Sequence, residues 1–254
     1  MSFKENGFLG EEINAIASEI YKKYENLFLF HEELNRFYIE TINIIKVEIN
    51  DTRGLYIACL FLKILNNTQS ISILSKLGLD SEAQIILRTS LETLFYLTAL
   101  IKDEVFCNAY YQTQYYEDKR TLKKIEANSD SFPEYQTHPE KFVLNTPKDL
   151  MKEYKLFEIA EIAGLKEEYD IAYTWLCSSV HPSISNLEER YLIIKSNKLL
   201  GLCFSYSTED IERTLSTCCY SALKAIEGIN DYFKLNIEEK SEVLSNKYYS
   251  LFSN

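Results

Sequence analysis

Asp80-Ser-Glu-Ala-Gln-Ile-Ile-Leu-Arg-Thr-Ser-Leu-Glu-Thr-Leu-Phe-Tyr-Leu-Thr-Ala-Leu-Ile101 is the stretch on which the fold turns. At helical spacing, Ala83, Ile85, Ile86, Leu87, Leu91, Leu94, Phe95, Leu97, Leu100 and Ile101 cover most of the circumference. A helix apolar on nearly every side is packed by neighbours on several sides, so this segment is expected at the centre of a bundle. Asp80 stands where an N-cap is wanted, with Glu82 in the first turn, where the helix dipole favours negative charge. Against the apolar background, Gln84, Arg88 and Glu92 recur every four residues and share one stripe.

Upstream, a helix is expected from Leu55 to about Lys76, closed by Gly78 in a left-handed conformation. Before it, apolar residues from Glu11 to about Asn50 recur at helical spacing, as one amphipathic helix or two in line broken near Phe30-His31. Downstream, Asp103 to about Asn128 reads as a helix bearing Tyr110, Tyr111, Tyr115 and Tyr116. Ser129 to Asn145, with Pro133 and Pro139, reads as the longest loop. Thr146-Pro147 has the signature of a helix start, short helices follow to Ala163, and Gly164 interrupts them. A further helix from Lys166 to Val180 is ended by His181-Pro182, because proline disfavours helical geometry in the residue before it.

Two β-prone runs, Tyr191–Lys195 and Leu199–Phe204, predict a hairpin. Ser207 and Asp210 open a long helix to about Phe233, and Ile237–Leu251 forms a last one. The expectation is an all-α, multi-helix bundle around a central buried helix (80–101), with one small β-hairpin at about 191–204. It is read as a single helical domain, 1–254. Within it lie an N-terminal long helix region (8–50), a core bundle (55–128 and 146–234), a loop (129–145) and a C-terminal helix (237–252).

Only 7 glycines and 4 prolines in 254 residues agree with long helices. A net charge of −11 argues against gripping nucleic acid over the whole surface, while leaving a local basic pocket open. The six cysteines lack C-x-x-C spacing and read as reduced core residues of a cytoplasmic protein. The N-terminus has no apolar leader, and Leu55–Leu65 is short and contains Lys63, so no membrane association is expected. No P-loop, G-x-G-x-x-G, H-E-x-x-H or G-x-S-x-G occurs, and His31 and His138 lack metal-spaced partners. Neither a metal nor another cofactor is expected.

Three features can carry chemistry. Burying ions unpaired is expensive, so the Gln84, Arg88 and Glu92 stripe must meet partners, water or a ligand. It reads either as a site, with Gln84 contacting ligand, or as an internal salt bridge. His181 stands at a helix end, where the dipole favours the imidazolium, and Ser178 one turn earlier can bond its ring. The pair reads as acid–base machinery or as a C-cap. Tyr110 and Tyr111 can stack bases, or serve as core and interface. The basic cluster Lys119, Arg120, Lys123 and Lys124 nearby is interleaved with acids, as on a solvated helix face.

The run Glu82–Glu92, the tyrosines after it and Cys177–Pro182 (C-S-S-V-H-P) resemble an uncharacterised bacterial family of helical domains. Its pattern is an R-x-x-x-E helix followed by an S-x-x-H or S-x-x-x-H helix end. More remotely the arrangement is similar to the HEPN superfamily, many of whose members are metal-independent RNases of toxin–antitoxin and anti-phage systems. That resemblance implies an RNA substrate, a homodimer and an antitoxin or defence-system partner. It also implies a site with Arg88, Glu92, His181 and Ser178 as catalytic groups. The superfamily's R-x(4–6)-H spacing has no counterpart after Arg88, where the next histidine is His138, so Arg88 and His181 must meet from different helices. The alternatives are a non-catalytic helical module forming a homodimer and a binder of a small anionic ligand.

Overall fold

A computed structural model describes residues 3–181, 183–196 and 198–252. Pro182 and Asn197, at the expected helix stop and hairpin turn, lie outside the described residues. The helices are α1 (Phe3–Asn6), α2 (Ile13–Lys23), α3 (Glu25–Ile44), α4 (Thr52–Lys76), α5 (Asp80–Lys102), α6 (Glu104–Tyr111) and α7 (Thr113–Ala127). They continue as α8 (Pro133–Thr137), α9 (Leu156–Ala163), α10 (Lys166–Glu168), α11 (Thr174–Val180), α12 (Ile184–Tyr191), α13 (Ile211–Phe233) and α14 (Glu238–Phe252). Between α12 and α13, β1 (Leu192–Lys195) pairs antiparallel with β2 (Lys198–Leu202) as a two-stranded hairpin. The architecture is all-α with one small hairpin.

The apolar segment 80–101 is the axis of the bundle. Helix α5 packs against α4, α13, α9 and α11. Its Ala83, Leu87, Leu91, Leu94, Phe95 and Leu97 are fully buried. Both ends are satisfied by distant residues. Arg53 donates from Nε to Leu100 O at 2.7 Å and from Nη2 to Ile101 O at 2.8 Å, pairing carbonyls of the last turn. At the other end Asp80 is the first helical residue and does not cap. Its carboxylate accepts from the Asp210 backbone N–H at 3.2 Å and from Thr214 Oγ1 at 3.3 Å, which ties α5 to the start of α13.

Several local expectations give way to tertiary contacts. The N-terminal helices break at Tyr24, while Phe30 and His31 lie inside α3, facing the core. His31 Nε2 donates to Leu215 O at 3.0 Å on α13, and burial lowers the ring's pKa to about 4. The tyrosine helix is divided at Gln112. No helix begins at Thr146. Residues 143–155 run without regular structure along α6 and α7, and Tyr116 bonds Met151 O there. Gln112 holds the same segment through Asp149 O at 3.0 Å and Met151 N–H at 2.8 Å. Within the loop at 129–145, α8 and two short 3₁₀ turns form. The last long helix begins at Ile211 rather than Ser207.

Helix α4 is 25 residues long, so shortness does not argue against a membrane span. Among the described residues it is the one helix long and apolar enough by length and composition to cross a bilayer, with mean hydropathy 1.3. Its Ile57, Phe61, Ile64, Leu65 and Ile71 are buried in the same core as α5, which is how a bundle helix is used.

Candidate functional site

The stripe on α5 separates into two polar clusters. At the first, Gln84 is fully buried and makes three side-chain bonds. Its Nε2 donates to Asp210 Oδ2 at 3.1 Å, and its Oε1 accepts from Arg190 Nη2 at 2.9 Å and from Ser179 Oγ. One amide therefore joins α5, α11, α12 and the lead into α13. Asp80 lies next to this cluster. Burial, and then the charge of Asp210, raise its pKa to about 6, and the hydrogen bonds from Asp210 and Thr214 together with Arg190 pull the other way.

One turn further on, Arg88 Nη1 pairs with Glu92 Oε1 at 3.0 Å, and Arg88 Nη2 donates to the Tyr173 hydroxyl. Tyr173 in turn donates to Glu92 Oε1 at 2.8 Å. The guanidinium also lies 4.7 Å from the Tyr173 ring centroid, within cation–π range. Tyr173 ends a π turn, Tyr169–Tyr173, where the widened backbone leads into α11. Tyr169 stacks on Tyr173 at 5.1 Å. Burial, then the bond to Glu92, raise the Tyr173 pKa, so the hydroxyl stays protonated and donates. Burial works against the Arg88 charge, yet Cys177 and Glu92 hold the guanidinium's pKa above its ordinary value. Arg88 and Glu92 side chains remain 23% and 31% exposed, so this cluster reaches solvent and Gln84 does not.

His181 is the C-cap of α11, in extended backbone geometry, and its side chain is exposed. Ser178 does not bond it: the Ser178 hydroxyl turns back to Trp175 O at 2.7 Å. Tyr173 meets Glu92 and Ser179 meets Gln84, so α11 runs antiparallel to α5 and His181 lies towards its Gln84 end rather than beside Arg88. Ser178 and Ser179 line a cleft of about 640 Å³, together with Asp80, Arg190, Asp210 and Arg213. The Arg213 guanidinium stacks 3.7 Å from the centroid of Trp175. Tyr110 and Tyr111 lie away from this cleft. Tyr110 packs edge-on to Tyr56 at 5.6 Å and against Tyr96 at 5.6 Å, and Tyr111 meets Tyr56 at 5.5 Å. Among the described residues no group of three or more His, Cys, Asp or Glu side chains is placed to hold a metal ion.

The model of a family of unknown function, DUF5677, matches residues 54–199. The chain belongs to this family. The matched stretch runs from α4 to the start of β2 and contains the whole α5 stripe, Tyr173 and His181. Asp210 and Arg213, which complete the first cluster and its cleft, lie beyond it. No curated protein and no solved structure matches the chain.

Sequence reasoning missed Tyr173, Ser179, Arg190 and Asp210. Spacing does not mark Tyr173 among 19 tyrosines. For Asp210 there was a signal of sorts, since an acid before a long helix reads as a cap. Its side chain instead turns to α5.

Proposed function

We propose that this chain is a HEPN-like, metal-independent ribonuclease, or a related toxin or anti-phage defence effector, working as a homodimer in the cytoplasm. In this reading His181 moves the proton of the RNA 2′-hydroxyl or of the leaving oxygen. Arg88 stabilises the negative charge that grows at phosphorus, and Glu92 with Tyr173 holds it in position. The observation that carries the reading is the Arg88 guanidinium itself, charged, held by Glu92 and Tyr173 and still open to solvent, as a group that meets a phosphate must be. The exposed His181 stands at the end of α11, the helix that the π turn of Tyr173 leads into. Ser178, engaged with Trp175 O, is left as a wall of the adjoining cleft, and Tyr110 and Tyr111 as packing.

Incubating the purified protein with total RNA in EDTA tests this. Cleavage is expected and is expected to disappear in both His181→Ala and Arg88→Ala. Cleavage that survives both substitutions, or no cleavage by the parent, removes the reading.

A second reading is favoured by the closure of the Arg88, Glu92 and Tyr173 ring of bonds. Here the chain is a non-catalytic interaction module and the stripe fixes the packing of α11 on α5. It expects Arg88→Ala to lower the melting temperature without changing any activity. A variant that melts like the parent yet loses a cellular phenotype eliminates it.

A further inference from the structure

We propose that the arm formed by α12 and the β1–β2 hairpin is the surface through which two copies of this chain associate, hairpin beside hairpin about a two-fold axis. The inference rests on the homodimer of the preceding reading and assigns it a surface. It is independent of the RNA chemistry.

Every described residue of α12 and of both strands is at least partly open to solvent. Many of them are large and apolar. Ile184 is 76% exposed, Leu199 64% and Leu202 80%, and Leu187, Tyr191, Ile193, Ile194, Leu200 and Phe204 are exposed with them. At ordinary side-chain areas this sums to roughly 1,000 Å² over all sides of the arm, against the ~800 Å² that each partner of a stable dimer buries.

The strand pattern points the same way. A strand with one wet face alternates apolar and polar residues. By register, Leu192 with Leu202 and Ile194 with Leu199 share one face, and a bulge at Leu200 breaks the alternation beside them, so one face of the hairpin is continuously apolar. A lone two-stranded hairpin is marginal in water, and each outer edge presents unpaired backbone groups. Antiparallel pairing of one outer strand with the same strand of a second copy satisfies the groups along that edge and joins the two apolar faces into one.

Charge selects a second copy as the occupant. The arm is acidic at its base, with exposed Glu188 and Glu189 on α12, and basic towards its tip, with exposed Lys195 and Lys198. A two-fold axis lays the tip of one arm against the base of the other, so Lys195 and Lys198 approach Glu188 and Glu189 of the opposite copy. His181 stands at the root of the arm, which brings the two copies together beside the proposed site.

Sedimentation velocity on the full chain tests the proposal. The parent is expected to be a dimer at tens of micromolar, and Leu199→Asp with Leu202→Asp to weaken it about a hundredfold while leaving the far-UV circular dichroism unchanged. Should that variant fold poorly, charge reversal takes its place. Glu188→Lys with Glu189→Lys is expected to weaken the dimer, and adding Lys195→Glu with Lys198→Glu to restore it. A monomeric parent, a dimer indifferent to the hairpin substitutions, or reversed charges that show no rescue overturns the proposal. So does a monomeric parent that co-sediments with anionic lipid vesicles, which makes a membrane the occupant. The RNA assay reads the ribonuclease separately, so either can fail alone.

Discussion

Gln84 and Arg88 sit one turn apart on α5, and their surroundings differ in kind. Gln84 is neutral, wholly buried and bonded to three other segments, so it works as a cross-link. Arg88 is charged, partly open, and bonded to its own helix and to the turn before α11. Burial of a polar group without its partners is far more costly than loss of a half-solvated ion pair. The first cluster therefore accounts for more of the stability, and the second leaves a charge within reach of solvent.

The largest effect should come from breaking the first cluster. Gln84→Leu keeps approximate volume but strands the Ser179 hydroxyl, one Arg190 donor and one Asp210 acceptor. The expected loss is about 3 kcal/mol, or roughly 10 °C in melting temperature for a chain of this length. A shift too small to resolve by calorimetry would mean that the cross-link is not structural.

Next in size is the pH dependence that Asp80 contributes. Its folded pKa, about 6, stands above the ordinary 3.8, so the fold favours the neutral carboxyl. The stabilisation is fully present below about pH 4 and is lost as pH rises through 6. Asp80→Asn stays neutral throughout and keeps an amide able to bond Asp210 and Thr214. It should match the parent in urea unfolding near pH 4 and exceed it by about 1–2 kcal/mol at pH 8, some way below the full linkage value because the amide is the weaker acceptor. Equal gains at both pH values would show that the fold does not raise the carboxyl's pKa.

How far the two clusters were legible follows from where their partners lie. Helix α5 was legible because apolar periodicity is local, and the stripe because four-residue spacing is visible in any helix. The hairpin showed itself through two β-branched and leucine-rich runs. The partners did not: Tyr173 lies 81 residues from Glu92, and Asp210 lies 126 from Gln84, and no local pattern encodes which distant side chain meets a helix face. Thr146-Pro147 misled for the complementary reason. Its helix-start signal is genuine, but Gln112 and Tyr116 hold the chain extended there by taking the backbone groups a helix would use. The proposed roles of Arg88 and His181 rest on residue type and exposure, and the structure adds Tyr173 as the group that holds Arg88.

The smallest effect separates the two clusters most directly. A double-mutant cycle of Arg88→Ala and Glu92→Ala on stability should give a coupling below about 1 kcal/mol, since both side chains keep contact with water and Tyr173 can rebond to whichever partner remains. A coupling that small means the pair is not retained for stability, which is what a guanidinium kept for a ligand requires. A coupling above about 2 kcal/mol, in the range of desolvated pairs, would place Arg88 with Gln84 as a second cross-link. The interaction-module reading would then account for the whole stripe, and His181 would be left as a helix cap.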